Sequence, residues 1–164
     1  MCIRDRRIAM AALLATVATP SFAADVDADA GAKIIAPLQI SNSTALYFGT
    51  IAPSLTSADK VVVTPAGAKS CGAELTCLTD DHTAALFNVS GEADASYTID
   101  LPNKIDISNG AGAVMEVNDF TGSKSSGTLV SGSDSFTVGG TLDVTANQPT
   151  GEYTGTFTVA VEYQ

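Results

Sequence analysis

From Lys33 onward, short apolar and β-prone runs alternate with clusters of turn residues at intervals of roughly eight to fifteen positions. The pattern predicts strands near Lys33–Ile40, Leu46–Ile51, Lys60–Thr64, Ala85–Ser90, Tyr97–Leu101 and Lys104–Ser108. Others are predicted near Val114–Phe120, Gly127–Val130, Ser135–Val138, Thr141–Thr145 and Tyr153–Tyr163. Between them stand Pro102-Asn103, Asn109-Gly110, Ser131-Gly132 and Gly139-Gly140, which read as turns because Gly and Asn tolerate positive φ. No stretch after the N-terminal region holds a helical period over three turns, and no internal repeat stands out. Many short strands with regular turns predict an all-β antiparallel sandwich over residues 33–164.

The final run is the most regular. Tyr153, Phe157, Val159, Val161 and Tyr163 fall on one face at period two, together with Gly155, which offers no side chain. Glu152, Thr154, Thr156, Thr158, Ala160 and Glu162 line the other face. Eleven residues at ~3.4 Å each would span roughly 37 Å, about twice a common strand. Two readings stay open: the longest core strand of a closed sandwich, or a strand with an unmated flank that another segment must cover.

The N-terminus changes the setting. Arg6 and Arg7 precede a ten-residue stretch, Ile8–Val17, that is apolar except for Thr16, and Ser21-Phe22-Ala23 places small residues at a cleavage site. Residues 1–23 therefore read as a secretory leader, cut after Ala23 and too short in its apolar part to span a bilayer. Met1-Cys2-Ile3-Arg4-Asp5-Arg6 also resembles a translated sequencing adapter, which would put the natural start elsewhere. Residues 24–32 read as a mobile acidic tail. Its Asp25, Asp27 and Asp29 do not make a calcium loop, because Ala30 and Ala36 stand where Gly and a bidentate Glu are needed.

The chain carries a net charge of −10, and removing the leader leaves five lysines against 17 acidic residues, a net of −12. That balance argues against nucleic acid or an anionic membrane as partner. Cys71 and Cys77 are the two cysteines of the exported part, and an oxidising compartment predicts a local disulfide between them. A metal site is the lesser reading, with only His82 nearby.

Several stretches carry a resemblance to a known family. They are Ile35-Ala36-Pro37-Leu38-Gln39-Ile40, Leu46-Tyr47-Phe48-Gly49, Tyr97-Thr98-Ile99, Phe136-Thr137-Val138-Gly139-Gly140-Thr141-Leu142 and Gln148-Pro149-Thr150-Gly151-Glu152-Tyr153. In this order they resemble the family called domain of unknown function 4402, and more loosely the spore-coat-protein-U type of archaic pilin. The ending also resembles the C-terminal motif of chaperone–usher pilins, with Gly151 fourteenth from the end, alternating apolar residues and a penultimate aromatic, Tyr163.

That second resemblance implies an immunoglobulin-like sandwich lacking one strand. A periplasmic chaperone lends the strand first, and the N-terminal extension of the next subunit then replaces it. It implies that Gly151, Tyr153, Phe157, Val159, Val161 and Tyr163 form the complementation face, with the same chain or related subunits as partners, helped by chaperone and usher. Two features differ: pilins usually bridge an early strand to its neighbour, whereas Cys71 and Cys77 close a local loop, and Val26, Ala28 and Ala30 are small for a donor.

The chemistry of catalysis is thin. His82 is the only imidazole and sits in the polar run Thr79-Asp80-Asp81-His82-Thr83, without a nucleophile-elbow sequence. Gly110-Ala111-Gly112 precedes a strand-like run instead of a helix, so it does not cradle phosphate. The acidic residues sit at polar strand positions and turns, as on a solvated face. The sequence thus predicts a non-catalytic exported protein, without cofactor or metal, in the periplasm, at the cell surface or outside the cell. Its role would be that of a fimbria-like subunit, or alternatively of a self-complete sandwich binding a small ligand or matrix polymer.

Overall fold

The computed structural model describes residues 24–78 and 81–164, so the expected leader lies outside the described residues. All regular structure among them is β. The strands are β1 (Gln39–Thr44), β2 (Ile51–Ala52), β3 (Asp59–Val63), β4 (Lys69–Cys71), β5 (Thr76–Cys77) and β6 (Ala85–Ser90). They continue with β7 (Ser96–Asp100), β8 (Lys104–Ser108), β9 (Val114–Gly122), β10 (Ser126–Thr128), β11 (Ser133–Val144) and β12 (Ala160–Tyr163). The chain divides into two units at Lys33/Ile34, and Ile34–Gln164 holds all twelve strands.

Every pairing is antiparallel. One seven-stranded sheet runs β1-β6-β11-β3-β4, with β9 on the other edge of β11 and β8 beyond it; β10-β7-β12 form a second sheet and β2-β5 a third. The first two sheets face each other across a core of Ala85, Phe87, Val89, Tyr97, Leu129, Phe136 and Val138. A second core gathers Phe48, Val61, Val63, Leu75, Val117, Leu142 and Val144. The alternation that predicts strands is the alternation of these cores: along β6, residues 85, 87 and 89 are buried while Asn88 and Ser90 are exposed.

Several strand predictions need correction. Ser135–Val138 and Thr141–Thr145 are one strand, β11, and Gly139-Gly140 lies inside it rather than forming a turn. β11 pairs with β6 before Gly139 and with β3 after it. A Cβ at Gly139 would lie 2.2 Å from the Val63 carbonyl oxygen and 2.7 Å from the Thr64 carbonyl carbon. The glycine is there because β3's end passes so close, a packing role instead of a turn.

The first strand begins at Gln39, because Pro37 has no N–H to give a ladder and confines Ala36. Of Leu46–Ile51, only Tyr47 (bridged to Thr83) and Ile51 are paired, since Gly49 at φ +84° turns the chain between them. Ser131-Gly132 is a turn as read, with φ of +55° and +85°, closed by a Val130–Ser133 bridge.

The predicted disulfide is present, joining Cys71 of β4 to Cys77 of β5 with Cα atoms 6.3 Å apart. Its loop is seated by Asp59, whose carboxylate accepts the backbone N–H of Glu74 at 3.0 Å and of Lys60 at 2.8 Å. These two bonds hold the Asp59 carboxyl below its ordinary range. Gly72 leaves room for that carboxylate, since a Cβ there would come within 2.2 Å of it.

Candidate functional site

The C-terminal run is a strand only at its end. Tyr153 departs from it first: its hydroxyl donates to the Pro149 carbonyl at 2.7 Å and accepts from Gln148 Nε2 at 3.0 Å. Gln148, itself buried, also donates to the Val114 carbonyl. Tyr153 thus braces the turn before it. Gly151 packs on Asn109, whose Cβ would lie 3.1 Å from a Cβ at the glycine.

Thr154 then makes an isolated bridge with Ser108 at the end of β8, and Ala160–Tyr163 pairs with Asp100–Tyr97 of β7. The partner itself breaks between these two contacts, at Leu101-Pro102-Asn103 between β7 and β8. Pro102 cannot donate, and the one long strand expected from the alternation becomes two short contacts.

Phe157, Val159, Val161 and Tyr163 come together against the core between the two facing sheets, alongside Leu38 and Ile40. Phe157 anchors the group, its ring 4.9 Å from Phe120 and 6.0 Å edge-on from Phe87. All four stay half-buried, while Thr158, Ala160 and Glu162 between them are exposed.

The backbone adds what the side chains do not show. Gln164 N–H bonds the Ser96 carbonyl, and Ile99 N–H bonds Ser125 on the opposite side. Since an antiparallel strand aims the N–H and C=O of successive residues to alternate sides, Ala160, Glu162 and Gln164 face β7 and Val161 and Tyr163 face away. That outer flank has no paired strand among the described residues. The same logic applies to β1: Gly91 N–H bonds Gly132, so Ser90 and Asn88 face β1, and Ile40 turns its amide to the free edge. Among the described residues, two unpaired edges therefore flank one half-buried apolar strip. The segment 33–40 forms no ladder with β12; β1 pairs with β6 instead.

One end of the strip is closed by Tyr163. Its hydroxyl accepts the Glu92 N–H at 2.7 Å and donates to the Ala36 carbonyl at 2.9 Å. Sequence reading of period two placed Tyr163 on the face but missed this polar role, which no local pattern signals.

A second polar group spans the two facing sheets. Tyr97, fully buried, donates to Asp134 at 2.9 Å, and Lys124 meets both Asp134 oxygens at 2.8 and 2.9 Å. Burial would raise the Asp134 pKa, but the bonds from Lys124, Ser135 N–H and Tyr97 outweigh it and hold the carboxyl low. Burial, with help from Asp134, pushes the Tyr97 phenol up. The group fastens β7 to β11.

His82 lies elsewhere, its Nε2 at 3.0 Å from the Gly67 carbonyl, and Thr79 and Asp80 beside it lie outside the described residues. No three His, Cys, Asp or Glu side chains converge as metal ligands among the described residues. No helix among them is long and apolar enough to cross a membrane.

These features define an all-β antiparallel domain with a local disulfide and an apolar edge that no strand covers among the described residues. The chain belongs to the family called domain of unknown function 4402, whose match covers residues 38–163. That stretch includes the whole strip from Leu38 to Tyr163. No curated protein and no solved structure matches the chain.

Proposed function

We propose that this chain is an exported, non-catalytic structural or adhesive subunit that polymerises by β-strand complementation. The slot between the free edges of β1 and β12 would receive an extended segment from a neighbouring copy. The observation that carries this reading is the combination at Val161 and Tyr163: backbone groups aimed at an unpaired flank, above side chains that only half close the core.

The segment Val26–Ile34 suits the slot. Val26, Ala28, Ala30, Ala32 and Ile34 alternate with Asp25, Asp27, Asp29, Gly31 and Lys33, and all are exposed. Small residues at most apolar positions give modest burial per residue, so insertion depends on main-chain bonds as much as on side chains. The local disulfide accords with an oxidising compartment. The likeness of the ending to chaperone–usher pilins extends the reading to a periplasmic chaperone and usher as assembly partners.

The test is to express the chain into a periplasm and run it unboiled on a denaturing gel. Multimers that collapse on heating are the expected result. A lone monomer that unfolds reversibly, with no helper protein, would overturn the proposal in favour of a self-complete sandwich.

A further inference from the structure

Resting on that assembly reading, we infer that the Tyr163 hydroxyl is a clasp that directs the N-terminal arm to a second copy and keeps it out of its own slot. Three hydrogen bonds close a ring: Glu92 N–H to Tyr163 Oη at 2.7 Å, Tyr163 Oη to the Ala36 carbonyl at 2.9 Å, and Ala36 N–H to Glu92 Oε2 at 3.2 Å. The chain is shaped around this hydroxyl. A Cβ at Gly91 would lie 2.2 Å from it, so a side chain at that position would expel it.

The ring sits at the root of the arm. Gln39 opens β1 opposite Ser90, and Tyr163 ends β12 opposite Tyr97, so β1 leaves from the end at which β12 arrives. For its own arm to lie along β12, the chain must reverse between Ile35 and Leu38 and enter the slot parallel to β12. That reversal is opposed twice. A turn over Ile35–Leu38 would put Pro37 in third place, where proline is disfavoured because it pushes Ala36 out of the helical backbone region, and the N–H and C=O of Ala36 are both engaged in the ring.

Ile34, the first residue of the apolar face ahead of the ring, is 95% exposed. An arm from another copy meets neither restriction and can enter in either direction. The clasp therefore decides between closure within one chain and growth of a polymer, and Tyr163 serves as a positioning residue.

The experiment compares the full chain with its Tyr163→Phe and Pro37→Gly variants, all exported to a periplasm. Heat-labile multimers are scored on unboiled gels, and hydrogen exchange at Val26–Ile34 is followed in the monomer fraction. The unaltered chain should give multimers, with arm amides in its monomer exchanging freely. Each variant should raise the monomer fraction about fivefold, the factor one ordinary hydrogen bond is worth, and should protect the arm amides in that monomer.

Pro37→Gly leaves the hydroxyl in place, so it decides the matter if Tyr163→Phe fails to fold. Variants with unchanged multimers and a freely exchanging arm would overturn the clasp while leaving assembly intact. An unaltered chain without multimers would overturn the assembly reading and the clasp together. A protected arm in the unaltered monomer would overturn the clasp alone.

Discussion

β11 and β12 follow the same alternating rule and reach different ends. Along β11, Phe136, Val138 and Leu142 are at most 2% exposed, with strands paired on both edges. Along β12 the inward residues Val161 and Tyr163 are only half-buried, and one edge alone is paired. Side-chain period decides which way a residue points; the number of neighbouring strands decides how far it is taken from water. A strand that satisfies the first condition and not the second marks the edge left unpaired among the described residues.

The sharpest way to break that contrast is to remove the same side chain from each strand's core. Phe136→Ala should cost about 4 kcal/mol in chemical unfolding, because Phe136 is stacked on Phe87 at 5.4 Å and sealed on all sides. Phe157→Ala, on the half-open strip, should cost about half as much, roughly 2 kcal/mol. Equal losses would mean that the two sites are closed to the same degree.

Next in size is Gly139→Ala. Its Cβ meets backbone rather than a flexible side chain, so β3 must move, at about 3 kcal/mol by denaturant titration. A change below ~1 kcal/mol would show that the approach of β3's end to Gly139 is looser than described. Replacing Cys71 and Cys77 together by Ser should cost about 2 kcal/mol, the value for so short a loop, and should leave the exchange of β12 amides unchanged.

The smallest effect is at the fastening between the facing sheets, and its pH dependence has two limbs. Asp134 has a depressed pKa in the fold, so its contribution is present above the ordinary carboxylate pKa of about 4 and is lost as pH falls below it. Tyr97 has a raised pKa, so its contribution is present below about pH 10 and is lost as pH rises further. Asp134→Asn should cost about 1.5 kcal/mol at pH 7 and remove the acid limb, as read from melting midpoints across pH.

The antiparallel all-β class, the hairpin at Ser131-Gly132 and the extents of β6 and β8 were legible because each depends on residues adjacent in sequence. The Gly139-Gly140 pair misled because a glycine that admits a neighbouring backbone looks the same in sequence as one that turns. β4 and β5 were missed, since Lys69-Ser70-Cys71 and Thr76-Cys77 carry no apolar alternation and are strands through pairing alone.

At the site, period two identified Phe157, Val159, Val161 and Tyr163, all four of which line the strip. It could not foresee that Pro102 in the partner would cut the strand, or that Tyr153 would turn to brace Gln148. Which flank of β12 is paired, and the ring joining Tyr163 to Ala36 and Glu92, depend on residues up to 127 positions apart. No local pattern encodes such a contact.

Amide hydrogen exchange along β12 in the monomeric chain tests the account most directly. Glu162 and Gln164, bonded to β7, should exchange slowly, while Val161 and Tyr163, alternating with them, exchange fast and become slow only in multimers. Uniform slow exchange from Val161 through Gln164 in the monomer would contradict an open flank and, with it, assembly by strand complementation.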